Sequence, residues 1–341
     1  MERLELVVVQ LTEAQRLIGS GRAPQLRLAF ILLDNAVEVV LHRLVQQALM
    51  LNDLHTGLLK KLEGLQAAGV DDKELHELLT QTRSQIVGGK ELRALESFFD
   101  KKVSFLAERD AVPVELPGVL KKLHQYRNEV YHQDKLRPEI LLPAVRVYFD
   151  VACTVLESYS PYSLSYSSDY APGPEMQPFV GRGPVLMGTA LPKKIAARLR
   201  AELHLDLAGV RTAFSSYLLA RLDNLETRLA SIDDLPWLVA GDALRIAQFP
   251  RERPFDLEKS RGRPGKYRKA DLSRWRAGAQ ALTASSTDKH TLITQYATIE
   301  DELEPLETLV HTAADEIEQG IEQGLASVQH GGRTAGESPV G

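Results

Sequence analysis

Through the first 157 residues apolar side chains return every three and four places, and no segment alternates apolar with polar long enough to make a strand. A chain with that period buries its apolar surface by packing helix against helix. The pattern predicts helices in "LELVVVQLTEAQRLI", "QLRLAFILLDNAVEVVLHRLVQQAL", "LHTGLLKKLEGLQAA", "KELHELLTQTRSQI", "ELRALESFFDKKVSFLAER", "LPGVLKKLHQYRNEVYH" and "RPEILLPAVRVYFDVACTVLES". Breakers fall between them: Gly21 and Pro24 before the second, Gly88 and Gly89 before the fifth, Pro138 near the start of the last. Short loops between long helices predict an antiparallel bundle, so the expected fold class is all-α.

The second helix is apolar around most of its girth, which predicts a central position. Asp34, Glu38, His42 and Gln46 interrupt it at intervals of four and share one stripe, with Asn35 beside it. Two readings fit: a satisfied polar seam, or a row of groups lining an active groove. Asp34, Glu38 and His42 are metal-ligand types, but such triplets are common in helices. Neither a metal nor any other cofactor is expected.

A single cysteine, Cys153, excludes an internal disulfide and a cysteine-cluster zinc site, and its apolar neighbours predict burial. The net charge of −5 gives no reason for attraction of the whole surface to nucleic acid or acidic lipid, so such contact needs a local patch. No window approaches the ~20 apolar residues that span a bilayer. The N-terminus lacks the basic start and apolar stretch of a signal peptide. A cytoplasmic protein without membrane contact is expected.

Residues 158–195 are rich in Ser, Pro, Gly and Tyr, the composition of a linker between the 1–157 bundle and a second, mostly helical region at 196–330. Tyr159, Tyr162, Tyr166 and Tyr170 would pin this linker to a surface or stack on nucleobases. The second region carries a basic insert at 251–276. From Arg251 to Lys269 eight Lys/Arg stand against three Asp/Glu, enough to attract phosphate. Its "RGRPGK" looks like the core of an AT-hook, a segment that lies along the minor groove of DNA. Arg261, Arg263, Lys266, Arg268 and Lys269 are the candidate nucleic-acid contacts; a solvated basic loop is the plainer reading. Nine acidic residues between Glu300 and Glu322 would fold against this stretch or face solvent. Residues 331–341 are expected to be a disordered tail.

The stretch "HQYRNEVYHQDK" puts Asn128 directly after Arg127, and His132 five places after it. Spacing alone is weak, since "RLRAELH" supplies Arg198 and His204 with no further feature. The residue types, however, suit RNA cleavage by the 2′-hydroxyl. Histidine titrates near neutral pH and suits the proton transfer, whereas arginine stays charged and its fork fits phosphate oxygens. Asn128 and His124 share the stripe of His132 at intervals of four, so Asn128 can hold phosphate or orient an imidazole, and His124 can be a second proton-transfer group or an ordinary helix residue. Five helical residues turn about 500°, which leaves Arg127 roughly 140° from His132; arginine's length, a helix end frayed near "YHQDK" or pairing across a dimer would bring the two together.

With its polar second-helix stripe and the long apolar helix after the motif, the 1–157 region resembles the HEPN superfamily of all-helical domains. Many members are metal-independent RNases marked by an arginine, a polar residue after it, and a histidine four to six places on; "RNEVYH" fits, and "AFILLDNAVEVVLHRL" looks like the family's first core helix. The resemblance implies an HEPN-like bundle, RNA as substrate, and Arg127, His132 and Asn128 as catalytic residues, with Asp34, Glu38 and His124 in support. It also implies a homodimer with two motifs face to face, and a toxin-like or antiviral role. The rest of the chain would then sense a trigger, or engage a regulatory or antitoxin partner protein. One toxin branch has a tyrosine two places after the histidine, where this chain has Asp134. The alternatives are a non-catalytic regulatory protein that binds nucleic acid or nucleotide with the same bundle, and a helical scaffold. No hydrolase triad, phosphate-binding glycine loop or Rossmann pattern is present.

Overall fold

A computed structural model describes residues 2–133, 137–160, 173–179, 190–249, 263–284 and 288–331, the last with side-chain surroundings as far as 323. The described residues are helical and contain no strand. They form two compact units, Met1–Val210 and Arg211–Gly341.

In the first unit α1 (Glu2–Ser20) ends at Gly21, whose φ of +65° favours a residue without Cβ, and Pro24 sits in the first turn of α2 (Ala23–Leu49). After α2 come α3 (Asn52–Ala67), α4 (Lys73–Gln85), α5 (Gly89–Ser97), α6 (Phe99–Ala107), α7 (Leu116–His132) and α8 (Pro138–Ser158). The expected central position of α2 is what the packing gives: it touches α1, α6, α7 and α8. Phe30, Leu33, Leu41, Tyr148 and Phe149 are sealed in the core, with Phe30 edge-on to Tyr148 at 5.4 Å. Cys153 is buried there too.

The helix expected across "ELRALESFFDKKVSFLAER" is two helices. Phe98 is extended (φ −116°, ψ 123°) and separates α5 from α6. No glycine or proline marks the break. Its consequence is that Phe99 turns inward while Phe98 stays 57% exposed.

The boundary expected at 157 lies within the first unit, which continues past it. Helix α9 (Leu191–Glu202) packs on α8 and α1, burying Leu191, Ile195, Ala196 and Leu199. Its Arg200 pairs with Asp150 and Glu157 and donates to Thr154 of α8. Met176, inside the expected linker, is fully buried, and the Gly173 amide donates to Glu5 of α1. The other linker tyrosines, Tyr162, Tyr166 and Tyr170, and the tail after Gly331 lie outside the described residues.

The second unit comprises most of α10 (Leu207–Asp233), then α11 (Asp242–Gln248), α12 (Lys269–Ala284) and α13 (Lys289–Gly331). Tyr296, Ile299, Leu303, Leu306, Val310 and Ala313 of α13 are buried at alternating steps of three and four, the period of a packed helix seam. Phe214 of α10 stacks on Tyr296 at 4.4 Å. Arg221 of α10 reaches the fully buried Glu300 at 2.8 Å and pairs also with Glu307. Arg228 lies 3.9 Å from Asp315. These pairings advance together along both sequences, so α10 and α13 run parallel.

Candidate functional site

Asp34 stands on the inner face of α2, between turns that carry Phe30, Leu33 and Val37, and is 1% exposed. A carboxylate so buried needs partners. Tyr148 of α8 donates its hydroxyl to Asp34 Oδ1 at 2.6 Å, and His124 of α7 meets the same oxygen through Nδ1 at 2.9 Å. Arg127 Nε lies 3.4 Å from Oδ2, without hydrogen-bond geometry, so that contact is an ion pair. Burial, reinforced by Asp34, pushes the Tyr148 hydroxyl well above the usual tyrosine range, which keeps it a proton donor.

Three helices therefore meet in one polar knot, and α7 is held against it. Arg27 of α2 donates to the Val130 carbonyl at 2.9 Å, and Glu129 accepts from Gln125 at 2.8 Å and pairs with Arg137. His124 stacks flat on Phe99, 4.2 Å between centroids with an 8° tilt. The break at Phe98 is what brings this ring beside α7. Arg127 donates from Nη1 to Asn128 Oδ1 at 2.9 Å and lies over the Tyr131 ring at 5.0 Å.

Alongside the knot is an open cleft of about 530 Å³ between the α5–α6 junction and α7. Phe98, Phe99, Lys121, His124, Gln125 and Asn128 line it. His124 and Asn128 thus face both the knot's partners and the cleft; Arg127 is one residue away and bonded to Asn128.

The expected sites fare differently. Arg127, Asn128, Asp34 and His124 are brought together. His132 is not brought to them: it ends α7 exposed, with its ring edge-on to Tyr131 at 4.8 Å, makes no hydrogen bond or ion pair among the described residues, and does not line the cleft. The reason is the helical angle, since Arg127 and His124, three apart, share a side that Arg127 and His132 do not. The α2 stripe runs from buried to exposed: Asp34 is sealed, Glu38 half-buried, His42 and Gln46 exposed. Glu38, with Asp34 and His124, offers ligand atoms within 4.8 Å of one another. A cation there would have to take Asp34 from Tyr148 and His124 and stand beside Arg127, so the donor set suits a hydrogen-bonded knot better than a metal.

In the basic insert Arg261 lies outside the described residues. Arg263, Lys266, Arg268 and Lys269 are exposed. Gln248 of α11 bridges the Tyr267 backbone, accepting from its N–H at 2.7 Å and donating to its carbonyl at 3.0 Å. Arg274 and Arg276, also in the insert, are committed to acids: Arg274 to Glu302 at 2.9 Å, Arg276 to Asp223 and Glu226 at 2.6 and 2.8 Å. Part of the expected neutralisation by the acidic helix is thus present, through Glu302.

Sequence reasoning missed Tyr148, which looks like one more core aromatic in "RVYFDV", and the cleft residues Phe98, Phe99, Lys121 and Gln125. The i, i+3 spacing of His124 and Arg127 was the available signal for their pairing. Comparison of the chain with protein-family models, with curated proteins and with solved structures found no match.

Proposed function

We propose that this chain is a metal-independent endoribonuclease of the HEPN type, with a toxin-like or antiviral role in the cytoplasm. The observation that supports this reading is the sharing of Asp34 by an imidazole and a guanidinium, at 2.9 and 3.4 Å, beside an open cleft. Cleavage by the 2′-hydroxyl needs a proton acceptor and a fixed cation next to the phosphate, and these are the two groups that the carboxylate holds. Phe98 at the cleft adds an exposed ring for base stacking, and Lys121 a cation for the backbone.

The test is incubation of the protein with mixed cellular RNA in EDTA. Wild type leaves 2′,3′-cyclic phosphate ends, and Arg127→Ala cuts roughly 10²- to 10³-fold more slowly. RNA left intact by wild type, or cut equally by both proteins, would overturn the reading.

A second reading, a regulatory protein that binds nucleic acid or nucleotide without cutting it, is favoured by one observation. His132, the histidine of the sequence motif, stands apart from Arg127 and makes no hydrogen bond or ion pair among the described residues. On that reading Arg127→Ala weakens RNA binding and no cut ends are found with any variant.

A further inference from the structure

We propose that His124 takes the 2′-proton, with Asp34 as its positioning residue. This assignment rests on the ribonuclease reading above and names the proton acceptor at that same site.

A general base needs one nitrogen free for substrate and the opposite edge of the ring held. His124 meets both needs. Its Nδ1 lies 2.9 Å from Asp34 Oδ1, and a carboxylate with no proton of its own to give there requires Nδ1 to carry the hydrogen. Nε2 then bears the lone pair, and it makes no hydrogen bond among the described residues, while the residue lines the cleft. The flat stack on Phe99 fixes the ring plane from a second side. Asp34 is itself held by Tyr148 and is 1% exposed, so it does not swing away with solvent.

The charged and titratable groups around His124 are Asp34 and Glu38 on α2, Arg127 on α7, Tyr148 on α8, and Lys121, Asp100 and Glu129 at the cleft, the last paired with Arg137. Arg127 is the cation nearest the shared carboxylate, so the base and the phosphate-binding group are set by one anchor.

The step balances as follows. His124 Nε2 accepts the proton of the 2′-hydroxyl as the 2′-oxygen bonds to phosphorus. The bond from phosphorus to the 5′-oxygen breaks, and that oxygen takes a proton from water. The products are a 2′,3′-cyclic phosphate and a free 5′-hydroxyl, with no change of oxidation state. The imidazolium returns its proton to solvent. Arg127 faces the added negative charge on the phosphoryl oxygens throughout.

The experiment pairs single-turnover cleavage of a single-stranded RNA in EDTA with ¹⁵N NMR of the His124 ring. At saturating RNA, His124→Gln slows the first-order rate by roughly 10²-fold or more. In its neutral form the wild-type ring is the Nδ1–H tautomer, and Asp34→Asn shifts it toward a mixture. The ring signal does not depend on turnover, and circular dichroism checks that each variant is folded. His124 is part-exposed, so His124→Gln remains a usable variant if Asp34→Asn fails to fold.

A wild-type ring in the Nε2–H form overturns the assignment. So does an active His124→Gln; in either case Arg127-dependent cleavage by wild type leaves the ribonuclease reading standing. Wild type that cuts no RNA overturns the reading and the assignment together, and is recognised because the unsubstituted protein itself is silent.

Discussion

Asp34 draws two hydrogen-bonding side chains and an arginine from two other helices into a region that is otherwise hydrocarbon, and each can be removed separately. Tyr148 is the most informative to remove, because phenylalanine keeps the ring that packs on Phe30 and deletes only the hydroxyl. Asp34 retains His124 and Arg127, so Tyr148→Phe is expected to destabilise by roughly 1–3 kcal/mol at neutral pH. The effect has a pH signature. The phenol is held above its unfolded value of about 10, so its contribution is complete below pH 10 and is lost as pH rises through the folded value. The gap in urea-unfolding free energy between wild type and Tyr148→Phe is therefore expected to narrow from pH 8 to pH 10.5. A constant or widening gap would show that the hydroxyl is not held as its surroundings indicate. At this scale the sequence supplied the residue types and, in the roughly 140° between Arg127 and His132, the reason these two do not meet on one helix. Arg127, Asn128, Asp34 and His124 were each legible as polar groups on otherwise apolar helices. The i, i+3 spacing of His124 and Arg127 was legible locally, but the carboxylate that both meet lies on another helix, 90 residues from His124, and no local pattern carries that.

Helices were the easier level to read, because seven apolar runs with breakers between them leave little choice of period. The one failure, at Phe98, is physical: "ELRALESFFDKKVSFLAER" has continuous helical spacing, and the break is set by what Phe99 packs on, namely His124. Elements also differ in how firmly they are held. α3 and α4 make their main contacts with each other. Their shared cluster is small, Leu62, Leu75 and Leu79 with Leu59 against it, and Leu54, Leu58, Leu65 and Leu78 remain exposed. Asn52 closes the base of this hairpin, accepting from the Val87 N–H at 2.8 Å and donating to its carbonyl at 3.4 Å. An element with so few buried contacts opens without global unfolding. Amide exchange in α3 and α4 is therefore expected to be faster than in α2 and α8, and Leu79→Ala to speed it further, by roughly tenfold or more if the deletion costs the ~2–5 kcal/mol of a buried leucine. Exchange in α8 should stay unchanged in that variant; equal acceleration there would tie the hairpin to the bundle's global stability.

On the scale of the molecule, the chain divides within the first turn of α10, where a continuous helix gives composition nothing to mark. The Ser/Pro/Gly/Tyr-rich stretch drew the eye instead, although Met176 and α9 beyond it belong to the first unit. The division offers a direct readout, because both tryptophans, Trp237 and Trp275, fall in the second unit. Trp275 is buried and donates to Glu302 at 2.6 Å, so its fluorescence reports packing against α13. The anchor of that unit is Arg221, its charge strengthened by Glu307 and Glu300 against the cost of burial. Arg221→Ala removes the cation 2.8 Å from Glu300, which is fully buried and also accepts from the Tyr296 hydroxyl. Breaking a buried pair in this way costs roughly 3–5 kcal/mol, and the loss belongs to the second unit. The fluorescence-detected unfolding midpoint of Arg221→Ala is accordingly expected to fall well below that of wild type, while amide protection in α2 and α8 persists at temperatures where the tryptophan signal has already changed. Simultaneous loss of both signals would mean that the two units unfold as one cooperative body, and that the polar knot at Asp34 draws part of its stability from residues beyond Val210.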